Sequence, residues 1–268
     1  MIIASLVEHG VVYALTGAFA GLIAGVLGIG GGMIVVPALL YIFNQTHAIP
    51  ASMSMHVAAG SSLAIMIFTA QSSARAHHRQ GEILWNIYSL LWPGIIVGTI
   101  TGAIVADILP THWLKILFGI FLIVIAINML TNIHVTHPHR FPGNLINRLI
   151  SFIIGFKSGL LGIGGGALII PYLSYCGVET QKIPAISALC TLTVAMIGTI
   201  VFMITGSNEV GLPSYCTGYI YWPAVIWVAI PSVLFAPIGA HLTYTLPVKQ
   251  LRYGFTAVLL IAGIDLLF

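Results

Sequence analysis

The sequence predicts an all-α protein that crosses a lipid bilayer many times and is built from two homologous repeats. Three observations predict it. Of the 268 residues, 59% are hydrophobic and 6% are charged, against about 25% charged in a soluble domain. Mean hydropathy is +1.06, so the solvent for most of this surface is lipid. The stretch "GVLGIGGGMIVVP" (Gly25 to Pro37) returns as "GLLGIGGGALIIP" (Gly159 to Pro171), 134 positions on. Finally, the few charges gather in a small number of short connecting segments.

Apolar runs bounded by Gly, Pro or charge give ten helical segments. Their cores are 11–27, 33–44, 52–75, 86–107 and 112–131 in the first half, then 146–161, 167–176, 184–206, 219–245 and 248–268 in the second. A full crossing takes about 20 residues. Segments 33–44 and 167–176 are too short for that, and each directly follows a GIGGG run. Each half is therefore a glycine-broken helix pair plus three spans. The repeat continues beyond the break. "GEILWN" (Gly81 to Asn86) matches "GYIYWP" (Gly218 to Pro223), and the run from Leu109 to Leu130 matches that from Leu246 to Leu267. Pro110 then pairs with Pro247, and Phe118 with Phe255. The expected division is a first transmembrane repeat at 1–132, a cytoplasmic linker at 133–147 and a second repeat at 148–268.

Charge sets the expected orientation. The loop after segment three carries Arg75 and Arg79. Its counterpart, "TGSNEVGLPSYCTG", carries Glu209 and no Lys or Arg. By the positive-inside rule the two loops lie on opposite faces, which makes the repeats inverted. Arg140, Arg148, Lys182, Lys249 and Arg252 fall inside on the same scheme. A parallel arrangement, with each short segment merged into a neighbour, is the alternative.

The composition also excludes. Nine basic residues are too few for a nucleic-acid surface. Cys176, Cys190 and Cys216 have neither CxxC nor zinc spacing. His134, His137 and His139 in the linker lack acidic or cysteine partners for a metal. No basic region or cleavage site marks the first ten residues, so the first span is expected to be retained. GIGGG is followed by no Lys-Ser/Thr, and neither GxSxG nor HExxH occurs. No catalytic residue, no cofactor and no enzymatic activity are expected.

The glycine runs point to a binding site. Each interior glycine costs a helix about 0.8–1.0 kcal/mol relative to alanine, and opened backbone in a membrane is tolerated only inside protein or against a watery cavity. Breaks at corresponding places of two halves mark the binding site of a carrier. A helix starts after each run, near Met33 and Ala167. Its first N–H groups and the positive end of its dipole suit a small anion, which missing side chains let approach closely. The candidate binding residues are Gly28, Gly30, Gly31 and Gly32 with Gly162, Gly164, Gly165 and Gly166. Ser61 and Ser62 on segment three, aligned with Cys190 and Thr191 on segment eight, add short polar side chains. Lys157, five residues before Gly162, is expected to supply a positive field. His56 lies on segment three and could carry a proton, although a lone histidine is more often a satisfied packing residue. Gly runs that merely allow close helix packing are the structural alternative.

The duplicated "GxxxGxLGIGGGxxxxP", the small-residue stretch Ala59-Gly60-Ser61-Ser62-Leu63 and the turn before Trp85 together resemble the sulfite exporter TauE/SafE family. The resemblance covers nearly the whole chain in two copies. It implies a multi-pass carrier of the inner or plasma membrane for sulfur-containing anions such as sulfite, thiosulfate or organosulfonates. The lipid bilayer, a small anionic substrate and a coupling proton or other ion are the implied partners. Two departures stand out: Ser61 where the family commonly has Thr, and Ala188-Leu189-Cys190-Thr191 in the second copy. A passive anion channel and a non-transporting membrane scaffold are the rival readings.

Overall fold

A computed structural model describes residues 2–27, 30–78, 84–131, 141–179, 182–245 and 248–267. Its helices are α1 (Ile2–Leu27), α2 (Gly32–Thr46), α3 (Ser54–His78), α4 (Trp85–Ile108), α5 (Thr111–Thr131), α6 (Asn144–Leu161), α7 (Gly166–Tyr175), α8 (Ile183–Thr205), α9 (Trp222–Thr245) and α10 (Val248–Asp265). Each of the ten expected segments corresponds to one helix. Among the described residues five helical stretches are long and apolar enough to cross a bilayer: Ser54–Ala76, Trp85–Ile108, Thr111–Leu130, Ile183–Asn208 and Trp222–Leu242. The protein is thus an all-α, multi-pass membrane protein. α2 and α7, at about 22 Å and 15 Å by the helical rise, cannot span a core about 30 Å thick.

One boundary differs from expectation. The ninth segment was expected from residue 219, but residues Cys216–Thr217 pair antiparallel with Ile220–Tyr221 as β1 and β2. Gly218, at φ 57°, makes the two-residue turn between them. Such a turn needs positive φ, which glycine adopts without strain. Pro223 then sits at the helix start, where its missing N–H costs nothing. The helices after the matched turns begin at the matched residues Trp85 and Trp222. α6 begins at Asn144, within the last residues of the expected linker. The linker histidines 134, 137 and 139 lie outside the described residues.

The two halves interlock. α4 packs along α6, α1 along α9, α3 on α8, and α5 on α10; α3 also touches α9, and α8 touches α4. Exchanging every helix for the one five positions away maps this pattern onto itself. Directions follow from the glycine contacts. A Cβ placed on Gly17, Gly21 and Gly25 would lie 2.3, 2.3 and 2.0 Å from the carbonyl oxygens of Val228, Ser232 and Ala236. Both series rise together, so α1 and α9 run parallel. Gly94, Gly98 and Gly102 meet Arg148, Phe152 and Phe156 in the same way, so α4 and α6 run parallel. By contrast Gly60 faces Phe202 and Gly198 faces Leu63, so α3 and α8 run antiparallel. Gly119 faces Leu267 and Gly263 faces Ile123, which makes α5 and α10 antiparallel as well.

α3 occupies the centre: 78% of its apolar window is buried, against 39–44% for the other four spans. α2 is buried beside it through Val35, Val36, Leu39, Leu40 and Phe43. The parallel pairs are joined backbone to backbone, which only glycine allows at these spacings. Gly98→Leu should therefore push α4 from α6 and destabilise the protein by about 2 kcal/mol or more, seen as a lower unfolding midpoint in detergent. Gly254→Leu, where no atom lies within 4 Å of a Cβ, should leave the midpoint unchanged.

Candidate functional site

Both glycine runs break their helices. α1 ends at Leu27 and α2 starts at Gly32. Gly30 and Gly31 between them hold φ values of 83° and 80°, the left-handed region that a Cβ disfavours. Gly28 lies outside the described residues. α6 ends at Leu161, and Gly162 turns the chain at φ 68° while its N–H donates to the Ser158 carbonyl. Ile163 and Gly164 are non-helical, and α7 starts at Gly166 after Gly165. Gly31 and Gly165 are the N-cap residues, and neither helix has a side-chain cap. The opening N–H groups of both helices are left without the usual capping oxygen.

The two breaks come together in the buried interior. A Cβ on Gly32 would stand 3.1 Å from the Gly162 carbonyl oxygen and 2.9 Å from Met66 Sδ. One on Gly30 would meet Thr191 Cγ2 at 2.4 Å, and one on Gly162 would meet the Ala59 Cα at 2.4 Å. α3 therefore covers one break with Ala59 and both with the stripe that runs on to Met66, while α8 covers the other with Thr191. Ser62 lies between Ala59 and Met66 on that stripe, since residues three, four and seven apart share a helix face.

Hydroxyls in apolar helices ordinarily bond their own i−4 carbonyl. Thr69, Thr99, Ser151, Ser158 and Thr193 do so here. Ser62 Oγ and Thr191 Oγ1 do not. Both residues are 0% exposed and neither hydroxyl has a partner among the described residues. The buried hydroxyls without a partner, among those described, are Ser62, Ser73, Thr191, Thr199 and Thr205. All five lie on the antiparallel pair α3 and α8. An unpaired buried hydroxyl costs about 1–3 kcal/mol, and among the described residues that cost falls on α3 and α8.

The other expected residues are placed differently. Ser61 faces away from the breaks and accepts from the Tyr221 N–H at 2.9 Å, anchoring the hairpin to α3. Cys190 is fully buried beside Thr191. Lys157 is exposed, in line with exposed Ile146, Leu149 and Ile153 on the outer face of α6. Ser158, the next residue, is the one that faces inward. The expected positive field at the breaks from Lys157 is thus corrected: helical rotation of about 100° per residue puts its ammonium outside the bundle. Sequence reasoning missed Met66 and Ala59, which pack on the glycines, and Thr199. The 3.6-residue period of segment three carried the first two.

Thr191→Val and Ser62→Ala remove one unsatisfied hydroxyl each at nearly constant shape. Each should leave stability unchanged or raise it by about 1 kcal/mol, measured by chemical or thermal unfolding in detergent.

Comparisons with known proteins agree with the membrane fold. The family model described as sulfite exporter TauE/SafE matches residues 13–266. A probable membrane transporter protein of Haemophilus influenzae is 32% identical over 255 residues, covering 94% of this chain and 96% of that protein. A probable membrane transporter protein of Methanocaldococcus jannaschii is 29% identical, covering 94% and 93%. The probable membrane transporter protein YunE of Bacillus subtilis is 24% identical, covering 96% and 97%. No solved structure matches the chain. With the family model spanning all ten helices and the glycine breaks, this chain belongs to the sulfite exporter TauE/SafE family of membrane transporters.

Proposed function

We propose that the chain is a secondary carrier that moves a small sulfur-containing anion, such as sulfite, thiosulfate or an organosulfonate, across the inner or plasma membrane. The anion binds at the facing glycine breaks near the midplane. The observation that carries this reading is the pair of unpartnered buried hydroxyls, Ser62 and Thr191, beside two uncapped helix N-termini. This lining offers donors, N–H groups at the two helix starts and two O–H groups, beside the Gly162 carbonyl. A sulfur oxyanion presents several acceptor oxygens and no donor, so the two match. Cys190 is buried beside Thr191, Ser61 holds the hairpin, and Lys157, on the outer face, takes no part. The match to a family named for sulfite export supports the substrate class.

The repeats are inverted in this reading, with 1–132 and 148–268 as the repeats and 133–147 as the cytoplasmic linker. Support comes from the antiparallel course of the equivalent helices α3 and α8, and of α5 and α10. Equivalents related by an axis along the membrane normal would run parallel. Alternating access then rocks α3 to α5 against α8 to α10 about the breaks. Ser73 toward one end, and Thr199 and Thr205 toward the other, provide polar steps along the same interface.

The test is counterflow. Proteoliposomes loaded with unlabelled sulfite, thiosulfate or a small sulfonate should take up the labelled anion saturably. Thr191→Val and Ser62→Ala, folded as above, should each raise the half-saturating concentration about tenfold, the equivalent of one hydrogen bond to a charged group. Absence of counterflow with all three anions, or full affinity in both variants, would overturn the reading. For the topology, single cysteines at Arg75→Cys and Asn208→Cys should react with an impermeant maleimide from opposite faces of the membrane. Reaction of both from one face would replace the inverted repeats by parallel ones.

A further inference from the structure

At the end of the bundle that carries the 216–221 hairpin, α3, α4, α5 and the hairpin enclose a histidine. His56 is 5% exposed, and among the described buried residues it alone can carry a positive charge. Its Nε2 lies 3.0 Å from the Ala106 carbonyl and 3.1 Å from the Leu109 carbonyl. Carbonyls only accept, so Nε2 carries a hydrogen and donates. Its Nδ1 lies 3.2 Å from Thr111 Oγ1, and that same hydroxyl reaches the Ser52 carbonyl.

A hydroxyl has one hydrogen and can turn it either way. With the imidazole neutral, Thr111 donates to Nδ1. With Nδ1 protonated, Nδ1–H donates to Thr111 Oγ1, and the hydroxyl hydrogen turns to Ser52. Both charge states are satisfied by the rotation of one O–H bond, with no movement of the ring.

Polar and acidic groups stand beside the ring. The ring stacks on Tyr219 at 5.1 Å between centroids and 29° between planes. Tyr219 donates its hydroxyl to Asp107 Oδ1 at 2.9 Å. Burial, and after it the bond to Asp107 with the charges of Asp107 and Glu209, push the Tyr219 hydroxyl well above its ordinary pKa, so it stays a donor. The charged groups that act on the ring are Asp107 of α4 and Glu209 after α8, both acidic. α5 contributes Thr111, and α8 contributes apolar Phe202 through Tyr219. Glu209 is exposed and Asp107 half-buried. The scaffold is doubled but this cluster is not: the matched positions in the second half hold Ala185 and Tyr244.

We infer that His56, with Thr111, Tyr219 and Asp107, is a proton-binding site that couples the anion's passage to a proton. The inference rests on the carrier reading above and names its coupling ion. Ser62 is six residues along the same helix, about 9 Å further along its axis and about 120° round it. In the loading step, water at this end gives a proton to Nδ1, and the Thr111 hydrogen turns to Ser52. The imidazolium then supplies the positive charge that Lys157, on the outer face, does not bring to the breaks. An anion arriving beside Ser62 meets that charge across a poorly screened interior, so proton and anion favour each other's binding.

The test uses the whole protein in proteoliposomes, with labelled thiosulfate as probe because it stays ionised over the working pH range. Wild type should accumulate thiosulfate when the compartment facing the cluster is acid. His56→Gln should weaken exchange at equal pH and, beyond that, lower the ratio of gradient-driven accumulation to equal-pH exchange at least about tenfold, one proton's worth at a tenfold gradient. Tyr219→Phe keeps the stacked ring and loses the bond to Asp107; it should shift the pH of half-maximal uptake. Wild-type gradient response in both variants would overturn the proton site. A readout that needs no transport is nitrogen-15 imidazole spectroscopy of the purified protein. The signal missing from His56→Gln should titrate over the same pH range in which uptake responds to the gradient, and a signal held in one state throughout would overturn the site. Failure of wild-type exchange would count against the carrier reading alone, with the titration still deciding the proton site.

Discussion

Opened backbone inside a bilayer has to be enclosed by protein, and the rest of this structure answers to that requirement. The breaks at Gly30–Gly31 and Gly162–Gly165 leave helix ends that lipid cannot hydrate. α3 and α8 are the enclosure. Ala59 and Met66 close over one side and Thr191 over the other, at separations that leave no room for a Cβ on Gly30 or Gly162. Because α3 is spent on this task, it is the most buried span. α4, α5, α9 and α10 then form the boundary with lipid, where their exposed Ile, Leu, Val and Trp residues cost nothing.

The enclosure holds because the outer helices approach so closely. Glycines at four-residue spacing on α1 and α4 lie directly on the backbones of α9 and α6. In a membrane, helix association draws on such packing and not on a hydrophobic drive. The glycines of this chain therefore do two separate jobs. Those at Gly17, Gly21, Gly25, Gly94, Gly98 and Gly102 remain helical and bring backbones together, whereas those at Gly30, Gly31 and Gly162 take positive φ and part them. Gly30 and Gly162 add close packing to the positive φ, since neither leaves room for a Cβ.

Much of this was legible in the sequence. All ten helices follow from apolar length and Gly or Pro boundaries, because lipid rewards long uninterrupted apolar runs. The breaks follow from duplication, since matched Gly runs are visible without coordinates. The hairpin at 216–221 was not, because Tyr219, Ile220 and Tyr221 are as apolar as a helix start and only Gly218 hints at a turn. Lys157 misled because its distance along the chain from Gly162 was read while its rotation about the helix was not. Ser61 and Ser62 are adjacent and chemically identical. Only the structure separates the one that holds the hairpin from the one without a partner. The stripe Gly94, Gly98, Gly102 was open to reading as a four-residue period, and the His56 cluster was not, since its members come from four separate elements.

The crossed pairing of the halves bears on how the chain is made. α1 meets its glycine-matched partner α9 only after some two hundred further residues have left the ribosome, and α4 waits for α6 across the linker. Until then each stripe of bare backbone faces lipid, with nothing to prefer one neighbour over another. Neither half carries its own closest partners, so neither forms a finished domain alone, and order of synthesis cannot be order of assembly. Helices must first insert singly and then sort in the plane of the membrane, with long-range closure the slow step. Each half is in this sense the other's template.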